Sequence, residues 1–152
     1  MTGSIEHMHK KSFGLFLLLF IFDWMTKQYL NQAHDLFSIF SWGVAVKPAL
    51  NTGLSWGLAV GWNNLIALAA TAFILWFLSI KMYGKNEVAA ILVAAGGIGN
   101  LLDRMVYGGV RDFIALTYKS QGIFPIFNCA DIFLTIGIIL LIWNDRATLF
   151  SE

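Results

Sequence analysis

A chain of 152 residues has the length of one domain. It is 58% hydrophobic, 15% aromatic and only 12% charged, which excludes an ordinary water-facing surface and points to an integral membrane protein. A formal net charge of +1 gives no reason to expect nucleic acid, and the single cysteine, Cys129, excludes an internal disulfide and a cysteine-rich metal site.

The first apolar run, Phe13 to Tyr29, follows Lys10-Lys11. It lacks a small-residue cleavage site and carries Asp23, so it reads as a retained span rather than a removed signal. Asp23 and Lys27 stand four apart on one helix face, as an ion pair near the outer end. The connection from residue 30 to 64 is no mere linker. VAVKPAL alternates β-branched and other residues, Asn51-Thr52-Gly53 reads as a turn, and Trp42, Trp56 and Trp62 suit the headgroup level. A small sheet resting on the membrane surface is expected there, although simple anchoring accounts equally well for each Trp taken singly.

Three more apolar runs follow, Leu65 to Met82, Val88 to Val106 and Cys129 to Trp143. Each approaches the ~20 residues that cross ~30 Å of hydrocarbon as a helix. Helices are the form expected, because lipid offers no partner for open backbone groups. Four spans would put both termini on one side and the connections 30–64 and 107–128 on the other. Basic residues divide evenly between the two sides. Lys10-Lys11 and the short basic turn KMYGKNE favour cytoplasmic termini.

Charged groups inside spans need a reason. In the third run, Gly96, Gly97 and Gly99 precede Asn100, Asp103 and Arg104. Small residues let a neighbouring helix approach, and the polar ones then bond across the contact. GGIGN lacks the Lys and preceding strand of a phosphate loop. Asp103 beside Arg104 reads as a buried network rather than a reactive acid. Asp112, in GGVRDF, and Asp131, in FNCAD, sit at one depth on flanking elements. Two close carboxylates share a proton. One then takes a proton from water while the other hydrogen-bonds a carbonyl under attack. Spacing alone leaves cation binding and proton relay equally open. Cys129 has no His in its half of the chain, and Lys119-Ser120 are adjacent, so neither is a strong nucleophile candidate. The three histidines, His7, His9 and His34, all lie in the first quarter, so no zinc site, and no cofactor, is expected.

Five ordered blocks carry a family resemblance: DWMTK, NTGLSWG, GGIGNLLDR, VRDF and FNCAD. Together they resemble the bacterial lipoprotein signal peptidases, or signal peptidase II, over nearly the whole chain. The resemblance implies an all-α membrane protein of four transmembrane helices, with a small β-cradle on the outer (periplasmic) face, residues 1–152 forming one peptidase domain. It implies an intramembrane aspartyl endopeptidase of the bacterial inner membrane. The expected partners are membrane lipid and prolipoproteins carrying a diacylglyceryl cysteine, with no nucleic acid, and the chain is expected to be a monomer. The catalytic pair maps to Asp112 and Asp131. Supporting positions map to Asp23, Asn51, Gly53, Asn100, Asp103, Arg104 and Asn128, and no metal is implied. A non-enzymatic protein of the same fold, binding lipidated signal segments or conducting ions, is the alternative. Two departures stand out. Arg111 replaces a residue more often uncharged and, in a strand, would point away from Asp112. Leu54 and Trp56 make the NTGLSWG loop bulkier.

Overall fold

The computed structural model describes residues 2–30, 34–39, 41–52, 69, 71–72 and 86–149. Gly53, Leu54, Trp56, Trp62 and nearly all of the expected second span lie outside the described residues. Among the described residues there are three long helices: α1 (Thr2–Tyr29), α2 (Glu87–Tyr107) and α3 (Cys129–Leu149). They match the first, third and fourth apolar runs, and α1 and α3 extend beyond them.

One helix among the described residues, α2, is long and apolar enough by itself to cross a membrane. Asp23 and Lys27 interrupt α1, and Asp131, Asp145 and Arg146 interrupt α3. The expectation of four spans therefore reduces here to a helix-rich protein with a small antiparallel sheet. Both interrupted helices nevertheless turn large apolar side chains outward. Leu18, Ile21, Phe22 and Trp24 are exposed on α1, as are Ile138, Ile139, Ile142 and Trp143 on α3. Apolar faces of that extent are what a lipid-facing helix presents. Inside, Ala90 and Val93 of α2 pack with Leu134 and Leu141 of α3.

The sheet has four antiparallel strands in the order β1-β2-β3-β4: β1 (His34–Ile39), β2 (Trp42–Asn51), β3 (Val110–Tyr118) and β4 (Gln121–Gly122). It was expected from the first connection alone, and half of its strands come from the second. VRDFIALTY hides its strand character because both of its faces are largely covered, which erases the alternation. Asn51 pairs with Val110 and Trp42 with Tyr118, with a register shift between Val46 and Ala49. Pro48 lies in that shift, where a residue without an N–H is tolerated.

Two local features aim the sheet at the helices. Gly108 ends α2 in the left-handed conformation (φ 71°), with its N–H on the Arg104 carbonyl at 3.1 Å, so the chain reverses directly into β3. After β4 the chain returns along β3. Phe113 and Ile114 donate to the Phe127 carbonyl at 3.1 and 2.8 Å, and the Phe127 N–H returns to Ile114 at 3.1 Å. This short bridge places the first turn of α3 beside the start of β3. Val46, Phe113 and Cys129 seal the junction, backed by Leu30, Ile114 and Phe133.

Candidate active site

Asp112 comes from β3 and Asp131 from the first turn of α3. Asn128 joins them. Its side-chain Nδ2 donates to Asp112 Oδ1 at 2.7 Å, and its backbone N–H donates to Asp131 Oδ2 at 3.1 Å. The Asp131 N–H donates back to Asn128 Oδ1 at 3.0 Å. Asn128 and Asp131 are thus a reciprocal cap on α3, each satisfying an N–H the helix leaves free. Asn128 is fully buried.

Two more amides complete the surround. Asn51, at the end of β2, donates to Asp112 Oδ2 at 3.0 Å, and Asn100, on α2, donates to Asp131 Oδ1 at 2.8 Å. Every one of these donors is neutral. Asp112 is only 3% exposed. Burial pushes its carboxyl up to about 6 against the pull of the Asn51 bond, and the charge of Asp131 adds to the rise.

A cleft of about 600 Å³ opens onto the pair. Asn51, Asn100, Arg104, Asp112, Asp131 and Thr135 form its polar lining, and Leu116, Phe124, Phe127, Ile132 and Ile136 form much of its apolar lining. Such a shape suits a ligand with one polar, extended part and one greasy part.

Behind the cleft lies a second set of charges. Lys27 Nζ is 2.8 Å from Asp23 Oδ2 and 3.6 Å from Asp103 Oδ2, and it donates to Asn100 Oδ1 at 2.9 Å. Asn128 Nδ2 meets the same Asn100 oxygen at 3.2 Å. With only donors facing its oxygen, the Asn100 amide must turn its NH₂ toward Asp131. Asp23 Oδ1 accepts the Ala130 N–H at 2.9 Å, tying α1 to the start of α3. A side chain at Gly99 would have to displace the Asp23 carboxylate from its partners, since a Cβ there would stand 2.6 Å from Asp23 Oδ2.

Of the residues expected at the site, Asn51, Asn100, Arg104, Asp112, Asn128 and Asp131 come together at or against the cleft. Asp23 and Asp103 lie in the buried charge network instead, and Gly53 is outside the described residues. The adjacent Asp103 and Arg104 part company. Asp103 pairs with Lys27 and Arg111, while Arg104 donates to the Asn100 carbonyl at 3.2 Å and lines the cleft. Arg111 does point away from Asp112, as strand alternation requires. Helical spacing marks Lys27 only as the partner of Asp23. Its bond to Asn100, which gives it a hand in orienting Asp131, has no signal in local spacing.

The same overall fold occurs in solved structures of a bacterial membrane enzyme. One matches with a TM-score of 0.74 and 29% identity over 94% of this chain and 93% of the other. A second matches at 0.72 and 30%, covering 94% and 95%. The class is thereby a membrane enzyme. Among relatives by sequence, the lipoprotein signal peptidase of Pseudomonas putida is 37% identical over 146 residues, covering 84% of this chain and 81% of its own. That of Wigglesworthia glossinidia brevipalpis is 30% identical, covering 91% and 96%. The signature of the signal peptidase (SPase) II family matches residues 15–145, and the chain belongs to that family.

Proposed function

We propose that this protein is an intramembrane aspartyl endopeptidase that removes the signal peptide from diacylglyceryl-modified prolipoproteins at the modified cysteine, with Asp112 and Asp131 as its catalytic pair. One observation carries the reading. A single buried residue, Asn128, holds both carboxylates at the cleft, Asp112 through its side-chain amide and Asp131 through its backbone N–H. The alternative of a non-enzymatic binding protein or ion conductor is not favoured, since the relatives that match along most of the chain are named as peptidases.

The chemistry follows from the unequal settings of the two acids. Asp112, whose burial raises its carboxyl to about 6, carries the proton that the pair shares in the reactive form and donates it to the scissile carbonyl oxygen. Asp131 accepts the proton of the attacking water, whose oxygen bonds to the carbonyl carbon. As the tetrahedral intermediate collapses, the C–N bond breaks, the proton on Asp131 passes to the leaving amine, and a hydroxyl of the gem-diol returns its proton to Asp112 as the carbonyl re-forms. The amides of Asn51, Asn100 and Asn128 keep both carboxylates aimed throughout. Arg104 brings a cation to the cleft lining where the substrate backbone would lie. The apolar lining suits the acyl chains and the signal helix.

This reading places four spans in the bacterial inner membrane, both termini in the cytoplasm, the cleft near the periplasmic face, and a monomer as the working unit. The outward apolar faces of α1 and α3 support the spans, since neither face has a protein partner among the described residues that covers it.

The test is gel-shift cleavage of a diacylglyceryl-modified prolipoprotein by the purified protein, with and without EDTA. Cleavage should persist in EDTA and fall at least about a hundredfold in Asp112→Asn and in Asp131→Asn. Turnover near wild type in either variant would sink the dyad.

A further inference from the structure

We propose that Arg111 is a positioning residue for Asp112, fixing the start of β3 from the side opposite the cleft. The proposal rests on the catalytic reading of Asp112 given above. Its ground is the number of elements that this one side chain joins. The Arg111 backbone N–H donates to Asp103 Oδ2 at 2.9 Å, and its guanidinium donates to Asp103 Oδ2 at 3.3 Å and Oδ1 at 2.8 Å. Another guanidinium nitrogen donates to Gln28 on α1 at 2.6 Å, and the group lies 4.1 Å from the centre of the Tyr107 ring on α2. Helix α1, helix α2 and strand β3 are therefore pinned at one residue.

The place of the pin matters. Between α2 and β3 stand only Gly108 and Gly109, which carry no side chain to restrain the turn. Arg111 is the second residue of β3, and Asp112 is the third. Successive strand residues project to opposite sides, so Arg111 acts on Asp112 through the backbone and not through its carboxylate.

The charge balance points the same way. Asp23 and Asp103 are both buried, at 1% and 3% exposure, and Lys27 reaches both while also holding Asn100. Arg111 supplies the second cation for the second carboxylate. With a neutral residue there, Asp103 would compete for Lys27 and draw it from the Asn100 amide that serves Asp131. The forked guanidinium matters as well as the charge, because a Lys offers a single point donor in place of a planar pair.

The test compares Arg111→Met, Arg111→Lys, Asp112→Asn and wild type in the prolipoprotein assay, with kcat counted per folded molecule from thermal unfolding followed by tryptophan fluorescence. Arg111→Met should lose about tenfold to a hundredfold in kcat, the scale of a small misplacement of a reacting group, with KM within about twofold. Arg111→Lys should fall between Met and wild type. Wild-type kcat in Arg111→Met overturns the proposal, as does a raised KM with kcat intact, which would make Arg111 a substrate contact. Should Arg111→Met not fold, Arg111→Lys decides alone, and wild-type kcat there overturns the proposal. Should Asp112→Asn cleave normally, the catalytic reading falls and takes the proposal with it. A dead Asp112→Asn beside an unaffected Arg111→Met removes the proposal only.

Discussion

Four aspartates lie within two neighbouring sets, and their surroundings differ in kind. Asp23 and Asp103 face cations, Lys27 and Arg111, and the four charges sum to zero. Asp112 and Asp131 face the amides of Asn51, Asn100 and Asn128, which donate hydrogen bonds and bring no charge. A buried carboxylate paired with a cation is committed to that bond and ties elements together. One held by neutral amides keeps its orientation without an ionic partner. The first setting builds a scaffold, and the second leaves chemistry available.

That contrast can be broken at its strongest point by Lys27→Met. Two buried carboxylates would lose the cation they share, a loss that typically costs about 3–5 kcal/mol. The unfolding temperature in detergent should fall steeply, and a variant as stable as wild type would show that the neutral cluster is no scaffold. A smaller effect tests the other set. Asp112 is raised in the folded protein, from 3.8 to about 6. Folding thus binds its proton more tightly than the unfolded chain does. The stability it contributes is present in full below pH 4 and is lost as pH climbs toward 6. About 3 kcal/mol is at stake. Asp112→Asn should therefore gain on wild type by that amount between pH 4 and pH 7, read from paired unfolding curves. A constant gap would place Asp112 among the ordinary, solvated acids. The smallest stability effect belongs to Asn128→Ala. Losing a helix cap costs about 1 kcal/mol. Cleavage should drop far more than that, by about a hundredfold, because Asp112 loses the side-chain amide that aims it, while the backbone N–H on Asp131 remains. Activity and stability falling in step would erase the distinction between the two sets.

Much of this was legible in the chain. Both ends of α2 and the start of α3 follow from the apolar runs Val88 to Val106 and Cys129 to Trp143, and Asp23–Lys27 is a same-face pair at a spacing of four. Asp112 and Asp131 stood out because each is an acid at the edge of an apolar element. Pairings across long sequence separations were not legible. Asp103 looks like the partner of Arg104 by adjacency, yet neighbours on a helix point about 100° apart, and the turn at Gly108 brings Arg111 within reach instead. The bond from Lys27 to Asn100 spans 73 residues and depends on how α1 packs on α2. Strand β3 escaped notice because burial on both faces removed its alternation.

The reciprocal cap between Asn128 and Asp131 also bears on how the protein is made. The hydrogen bonds that start α3 are the ones that hold Asp131 and aim Asn128 at Asp112. Beginning that helix and assembling that half of the site are one event. A chain in which α3 has not capped therefore holds no ordered pair of acids, and the site is complete only once that helix has begun.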